Sequence, residues 1–287
     1  MTELHLYAIT PAGPQPLPTP PGATEFLDLY EGLTLGVYTV LRTFAHNKFL
    51  HLADHLARTQ QSMDLLGWQE TLDLQAIRQA LHTLCTAAPH PETRVRIDVL
   101  PAPAYALGTE SRLLIALMPF TPLPAHCYQN GVAVGFAQGL VRANPRIKQA
   151  DFAAARKRAQ PANSSFFERL MLNQAGQILE GVSSNFYGFR RGMLYTADEG
   201  VLEGITRRII LTLAREAGIE ICLEAIHADE VAQLDEAAIS SSSRGILPVV
   251  AIDHQPIGNG YPGPRTCQLM MAYEDYVART IKTALEE

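Results

Sequence analysis

The stretch TPLPAHCYQN, residues 121–130, sets the strongest limit on what this chain can fold into. Its two prolines remove backbone donors and bar both a helix interior and a central strand, and Gly131 follows at once. Strand-like runs and helix-period segments stand on both sides of it. The chain therefore reads as two domains, 1–120 and 131–287, joined by a linker at 121–130. A length of 287 residues, 47% of them hydrophobic, is enough for two cores sharing an interface.

In the first domain HLYAI reads as a strand and PAGPQPLPTPPG as a loop, by composition alone. GVYTVLRTF, a turn at AHNK and FLHL predict a hairpin. HLARTQQSMDLLGW carries apolar residues at helical spacing, with Asp54 as N-cap and Gly67 as stop, and a second helix begins at Asp73. TRVRIDVLPAP and SRLLIALMPF read as strands.

The second domain opens with strand GVAVGFA and continues through helix DFAAARKRAQ and strands RLMLN, SSNFYGF and MLYTA. GITRRIILTLAREAG is a helix stopped by Gly218, followed by a strand. A helix around ADEVAQL, strands AAISSS and LPVVAID, and a long helix from Pro264 to Leu285 complete it. The fold class is α+β, with a smaller N-terminal α/β domain and a larger, β-rich C-terminal domain with helices.

A formal net charge of −6 and the lack of any Lys/Arg-rich block argue against nucleic acid or an anionic membrane as partner, and favour small molecules. The N-terminus lacks the basic start and apolar core of a signal peptide, and no run approaches the ~18–20 apolar residues of a membrane span. The expected location is the cytoplasm. Cys85, Cys127, Cys222 and Cys267 form no CxxC pair, and His51 and His55 are not part of an HExxH, so no metal site is expected.

The chemistry starts from lysine. The chain has four, Lys48, Lys148, Lys157 and Lys282, against nineteen arginines. Three have solvated readings in a turn or on a helix surface; Lys148, in ANPRIKQADF, ends a loop that leads into a helix. A lysine amine is the nucleophile of Schiff-base chemistry, which pyridoxal phosphate exploits together with an acid at its ring nitrogen, an anion cradle and a substrate grip.

Glu180 stands in the otherwise uncharged run LEGVSSNFYGF and offers the acid. Gly204-Ile205-Thr206 opens a helix whose N-terminus suits a phosphate, and Ser241-Ser242-Ser243 adds hydroxyls. Arg94 and Arg96 alternate on one strand face and offer paired donors to a carboxylate; two solvated arginines on an edge strand is the equal alternative. Each piece alone has an ordinary structural reading, a cap, a salt bridge or a loop. Their order and spacing are what carry weight.

From LGVYTVLRTF and HLADHLART, through IK and LEGVSSNFYGF, to VLEGITR and SSSRGILPV, most of the chain resembles the fold-type IV pyridoxal-phosphate enzymes. These include branched-chain aminotransferase, D-amino acid aminotransferase and aminodeoxychorismate lyase. Glu180 follows Lys148 by 32 positions and Gly204 follows Glu180 by 24, as the family pattern requires.

The resemblance implies the cofactor pyridoxal 5'-phosphate, with Lys148 as the Schiff-base lysine and Glu180 at the pyridine nitrogen. It implies Arg58, Gly204, Ile205, Thr206, Ser241 and Ser242 around the phosphate, Leu202 against the ring and Asn185 buttressing Glu180. Tyr38, Ser243 and one or more of Arg94, Arg96 and Arg244 would face substrate, although Arg244 has an equally good structural reading. It further implies a homodimer, a cofactor between the two domains, and ping-pong transfer of an amino group between an amino acid and a 2-keto acid.

Branched-chain enzymes carry a tyrosine about five residues after the lysine and a Gly-Thr-Ala-like turn; here Ala153 and Ser241-Ser242-Ser243 stand there. That leans towards a D-amino acid or atypical aminotransferase. Elimination of pyruvate from aminodeoxychorismate uses the same lysine and cofactor and stays open. Binding of cofactor without turnover is the remaining alternative.

Overall fold

A computed structural model describes residues 4–30, 32–137, 139–140, 142–159 and 165–287. In chain order, β1 (His5–Thr10), β2 (Gly13–Leu17), β3 (Val37–Arg42), β4 (Lys48–Phe49), α1 (Leu52–Leu65), α2 (Leu74–Ala87), β5 (Thr93–Val99) and β6 (Leu113–Pro119) come first. Next are α3 (Ala125–Gln129), β7 (Val132–Phe136), α4 (Ala150–Ala159), β8 (Glu168–Leu172), β9 (Ile178–Gly181), β10 (Asn185–Arg190) and β11 (Met193–Tyr195). The chain ends with α5 (Ile205–Glu216), β12 (Ile221–Cys222), β13 (Glu236–Ser241), β14 (Gly245–Ile252), β15 (Gln255–Pro256), α6 (Pro264–Thr280) and β16 (Lys282–Thr283). Among the described residues no helix is long and apolar enough to cross a membrane.

Two compact units form, and a single cut does not separate them. The first contains the described residues of 1–121, 147–154 and 279–287; the second contains those of 122–146 and 155–278. Segment 147–154 joins the first because Tyr38 N–H donates to Lys148 O (3.0 Å) and Ala150 N–H to Gly36 O (2.9 Å), while Ile147 enters the core. The C-terminus joins it because β16 pairs with β4 and Ala284 is buried there.

The first unit is an antiparallel sheet ordered β2-β1-β6-β5-β3. Period-two alternation sorts its side chains. Val95, Ile97, Val99, Ile115 and Leu117 face Leu52, Leu56, Met63, Ile77, Leu81 and Cys85 of α1 and α2. Leu114 and Ala116 join a second cluster with Leu6, Phe26, Leu29 and Tyr30. Arg94, Arg96 and Asp98 alternate with the helix-facing residues of β5 and so share the other face.

The second unit is a nine-stranded sheet following β12-β11-β10-β13-β14-β7-β8-β9, with β15 added to β14. β9 also pairs with β10 at Glu180 opposite Asn185, so six strands, from β10 round to β9, close into a ring. Closure covers the β9 edge, while β12 stays at the other end of the sheet. The core of this unit includes Val134, Leu170, Phe186, Ile239, Leu247 and Val249.

Several local expectations differ from the structure. The proline-rich 11–22 stretch contains β2, which an outer position tolerates because an edge strand can leave donors unused. β3 pairs with β5 and β4 with β16, so the AHNK turn closes no long hairpin; only the single bridge Phe44–Lys48 forms. α1 starts after His51, in left-handed conformation, and Asp54 lies in its first turn, 3.2 Å from His51 Nδ1. LEGVSSNFYGF splits into β9 and β10, residues 228–233 form a 3₁₀ turn, and α6 ends at Thr280. Lys282 therefore stands in a strand, and the side chain of Lys157 lies outside the described residues.

Candidate active site

Lys148 sits where the chain runs antiparallel to the start of β3, with a bridge between Val37 and Gln149. Its own N–H reaches Ser62 Oγ of α1 (3.4 Å), and that hydroxyl donates to Arg58 O (2.8 Å). The Lys148 Nζ lies 4.9 Å from the centroid of the Tyr38 ring. Arg58, one turn earlier on α1, donates from Nη2 to Thr39 Oγ1 (3.3 Å), which also bonds His55 Nδ1 (2.7 Å). Alternation along β3 explains the set, since Tyr38 and Thr39 fall on opposite faces of one buried strand.

On the same face as Tyr38 lies a buried ion pair. Arg96 donates from Nε and Nη2 to the two oxygens of Asp98 (2.7 and 2.6 Å), and Tyr30 O–H donates to Asp98 Oδ2 (2.6 Å). The Arg96 guanidinium is 4.2 Å from the Tyr38 ring centroid and 4.9 Å from that of Tyr30. Burial works against the Arg96 cation, but the charge and hydrogen bonds of Asp98 outweigh it and push its pKa up. Burial, then the Asp98 charge, pushes the Tyr30 phenol well above its ordinary range. Arg94 is half-buried, its guanidinium 5.3 Å from the Phe26 ring and its Nη1 4.0 Å from Met118 Sδ.

In the second unit Glu180 occupies the point where β9 closes onto β10. Its side chain is 2% exposed and pairs with Arg142, which donates from Nε to Oε1 (3.0 Å). Oε2 accepts from Asn185 Nδ2 (3.2 Å) and Leu202 N (3.1 Å), and the same Asn185 amide donates to Leu202 O (2.9 Å). Asn185 thus fixes both the carboxylate and the segment leading into α5. Gly204 stands at the N-cap of that helix, where a Cβ would collide with Asn185 Oδ1. No side chain caps α5, and Ile205 and Thr206 in its first turn are buried.

Ser241 pairs with Gly245 and closes a turn bearing Ser242, Ser243 and Arg244. Ser240, just before it, is buried and hydrogen-bonded to Tyr187 OH (2.8 Å), and burial pushes that phenol up. Arg244 donates from Nε to Ser241 Oγ (2.9 Å), from Nη1 to Glu168 Oε2 (2.9 Å) and from Nη2 to Ser183 Oγ (2.9 Å). Lys148, Tyr38, Arg58, Arg94 and Arg96 thus belong to the first unit, and Glu180, Asn185, Leu202, Gly204, Ile205, Thr206, Ser241, Ser242, Ser243 and Arg244 to the second.

Sequence reasoning overlooked Arg142, Glu168, Ser183, Tyr30 and Asp98. Asp98 could have been found, because it continues the Arg94 and Arg96 alternation on a strand already recognised. Arg142 and Glu168 have partners 38 and 76 positions away and no local pattern to reveal them.

Each unit carries part of what a phosphorylated aldehyde on a nitrogen ring requires: an amine at Lys148 in the first, and in the second a buried carboxylate and a helix start whose N-cap, Gly204, brings no capping side chain. The family model for amino-transferase class IV matches residues 36–252, well over half of the chain. The D-alanine aminotransferase of Bacillus licheniformis is 28% identical over 259 residues, covering 86% of this chain and 90% of that protein. A branched-chain-amino-acid aminotransferase of Pseudomonas aeruginosa is 38% identical over 112 residues, 39% of this chain and 36% of that one.

Two solved branched-chain amino acid aminotransferases share the fold. That of Thermobaculum terrenum superposes with a TM-score of 0.76 at 23% identity over 98% of both chains. That of Escherichia coli gives 0.77 at 19% identity over 98% of this chain and 99% of the other. With its closed β-ring, its antiparallel sheet under two helices and a family model that matches residues 36–252, the chain belongs to the class IV aminotransferases.

Proposed function

We propose that this enzyme uses pyridoxal 5'-phosphate to move an amino group between an amino acid and a 2-keto acid, in ping-pong order. The observation that carries the reading is the setting of Lys148. Its carbonyl accepts from the Tyr38 N–H of β3 and its amine lies over the Tyr38 ring, inside the stretch that the family model matches. The Thermobaculum terrenum relative was solved in its PLP form, which supports the choice of cofactor. When bound, the cofactor supplies an aldehyde for the amino group and an electron sink for cleavage of the substrate Cα–H bond.

The chain's own residues supply the rest. Lys148 Nζ would be the attachment point and, as a free amine, would take the proton from the substrate Cα and hand it on during transfer. Glu180, held in place by Arg142, Asn185 and the Leu202 N–H, presents a fixed negative charge that keeps a proton on the ring nitrogen. The start of α5, with Ile205 and Thr206, and the hydroxyl of Ser242 cradle the phosphate together with Arg58. Tyr38 and Ser243 border the substrate. The enzyme works as a homodimer in the cytoplasm on small amino and keto acids, and D-amino acids are candidate donors because a D-alanine aminotransferase is among its relatives.

The test is the visible absorption spectrum of the protein with pyridoxal phosphate, followed by D- and L-amino acids added singly without a keto acid. A cofactor band that particular amino acids bleach identifies the donor and its handedness. A band that no amino acid changes overturns the transfer reading.

A further inference from the structure

Glu168, the first residue of β8, is 2% exposed, yet four donors converge on its carboxylate. Ser183 donates to Oε1 from its backbone N–H (2.6 Å) and its hydroxyl (3.0 Å), Ser184 from its hydroxyl (3.0 Å), and Arg244 Nη1 donates to Oε2 (2.9 Å). The room for this arrangement comes from Gly181. A Cβ there would collide with Ser184 Oγ and lie 2.7 Å from Glu168 Oε1.

Arg244 is equally committed. Its Nε and Nη2 go to Ser241 and Ser183, its N–H to Ser241 O (3.2 Å), and its carbonyl accepts from Tyr128 O–H (2.9 Å). A substrate carboxylate that drew Nη1 away from Glu168 would leave that buried charge without its cation, which is strongly unfavourable.

We infer that Glu168 is a positioning residue. Through Arg244 and Ser183 it clasps the 241–245 turn in the shape that its Ser242 hydroxyl needs to receive a phosphate. The inference rests on the proposed cofactor reading and extends it from the residues at the phosphate to the carboxylate behind them. Within it, Arg244 serves the turn and not the substrate.

A structural defect spread through the unit would weaken every ligand, whereas loss of the clasp weakens only what the phosphate contributes. The experiment is equilibrium binding of pyridoxal phosphate and of pyridoxal, which lacks the phosphate, to the full-length cofactor-free protein. Glu168→Gln keeps shape and removes charge, and should lower pyridoxal phosphate affinity about tenfold to a hundredfold, the range for losing a hydrogen bond to a charged group. Pyridoxal affinity should stay within about twofold, well below the tenfold that 1.4 kcal/mol represents.

Arg244→Gln, on the more exposed side of the pair, should give the same selective loss, and it carries the test alone if Glu168→Gln does not fold. Equal losses for both ligands, or none, overturn the clasp. A wild-type protein that binds the two ligands equally well removes the phosphate reading and the clasp together.

Discussion

Replacing Glu180 by glutamine perturbs the Arg142–Glu180 ion pair at the point where β9 closes onto β10. Arg142 and Glu180 are 8% and 2% exposed and 3.0 Å apart, so the substitution removes the carboxylate charge that an almost buried guanidinium faces. Breaking a buried pair from one side costs about 3–5 kcal/mol. The substituted amide keeps one oxygen to accept from Asn185 and the Leu202 N–H, which places the expected loss near the lower end, about 3 kcal/mol. For a protein of this size that is a fall in melting temperature of roughly 6–12 °C.

The assay is thermal unfolding by circular dichroism on cofactor-free protein, because a ligand bound to the native state adds its own stabilisation. The double variant Glu180→Gln/Arg142→Leu removes the cation along with the carboxylate and should recover at least half of the loss. A melting temperature for Glu180→Gln within about 2 °C of wild type, or a double variant whose loss equals the sum of the singles, refutes the pairing.

Three further outcomes follow from single contacts. Gly204→Ala forces Asn185 away from Gly204 and from its bonds to Glu180 and Leu202, and should destabilise the protein by about 1–3 kcal/mol, read as a shift in the urea midpoint. Tyr30→Phe removes the phenol that donates to Asp98 at 2.6 Å and should cost about 1.5–3 kcal/mol in the same assay, with Arg96 still paired. Burial lifts the Cys85 thiol from its ordinary 9.0 to about 12, so the folded protein keeps it protonated where the unfolded chain ionises. Stability it contributes is complete below pH 9 and falls away as pH rises towards 12, and Cys85→Ala should flatten that decline in denaturation curves taken across the window.

What could be read from the chain was what depends on neighbours in sequence. β-Branched and apolar runs marked β5, β6, β13 and β14, and α2 begins at Asp73 as expected, its side chain accepting from Ala76 N. Gly218, at φ 68°, ends α5 where expected. β2 escaped because its prolines are acceptable only at a sheet edge, and which strand is outermost depends on pairings that composition does not encode. Segment 147–154 escaped because what ties it to the first unit is backbone hydrogen bonding to β3, more than a hundred residues earlier.

The site divides in the same way. Lys148, Glu180 and the Gly204-Ile205-Thr206 helix start could be put forward as candidates from their order and spacing. Two of the charges beside site residues could not: Arg142 meets Glu180 across 38 positions and Glu168 meets Arg244 across 76, whereas Asp98 stands two residues from Arg96 on β5 and was within reach of the same alternation. For Glu180 and Arg244 the local spacing carries no trace of the charge that meets each of them.

The account depends most on Lys148 as the residue that joins the cofactor. The chain has only four lysines, which makes a direct test possible. Protein loaded with pyridoxal phosphate is reduced with borohydride, digested and mapped by mass spectrometry. The account predicts a phosphopyridoxyl group on the peptide containing Lys148 and on no other; the group on Lys48, Lys157 or Lys282 instead, or on none of the four, would contradict it.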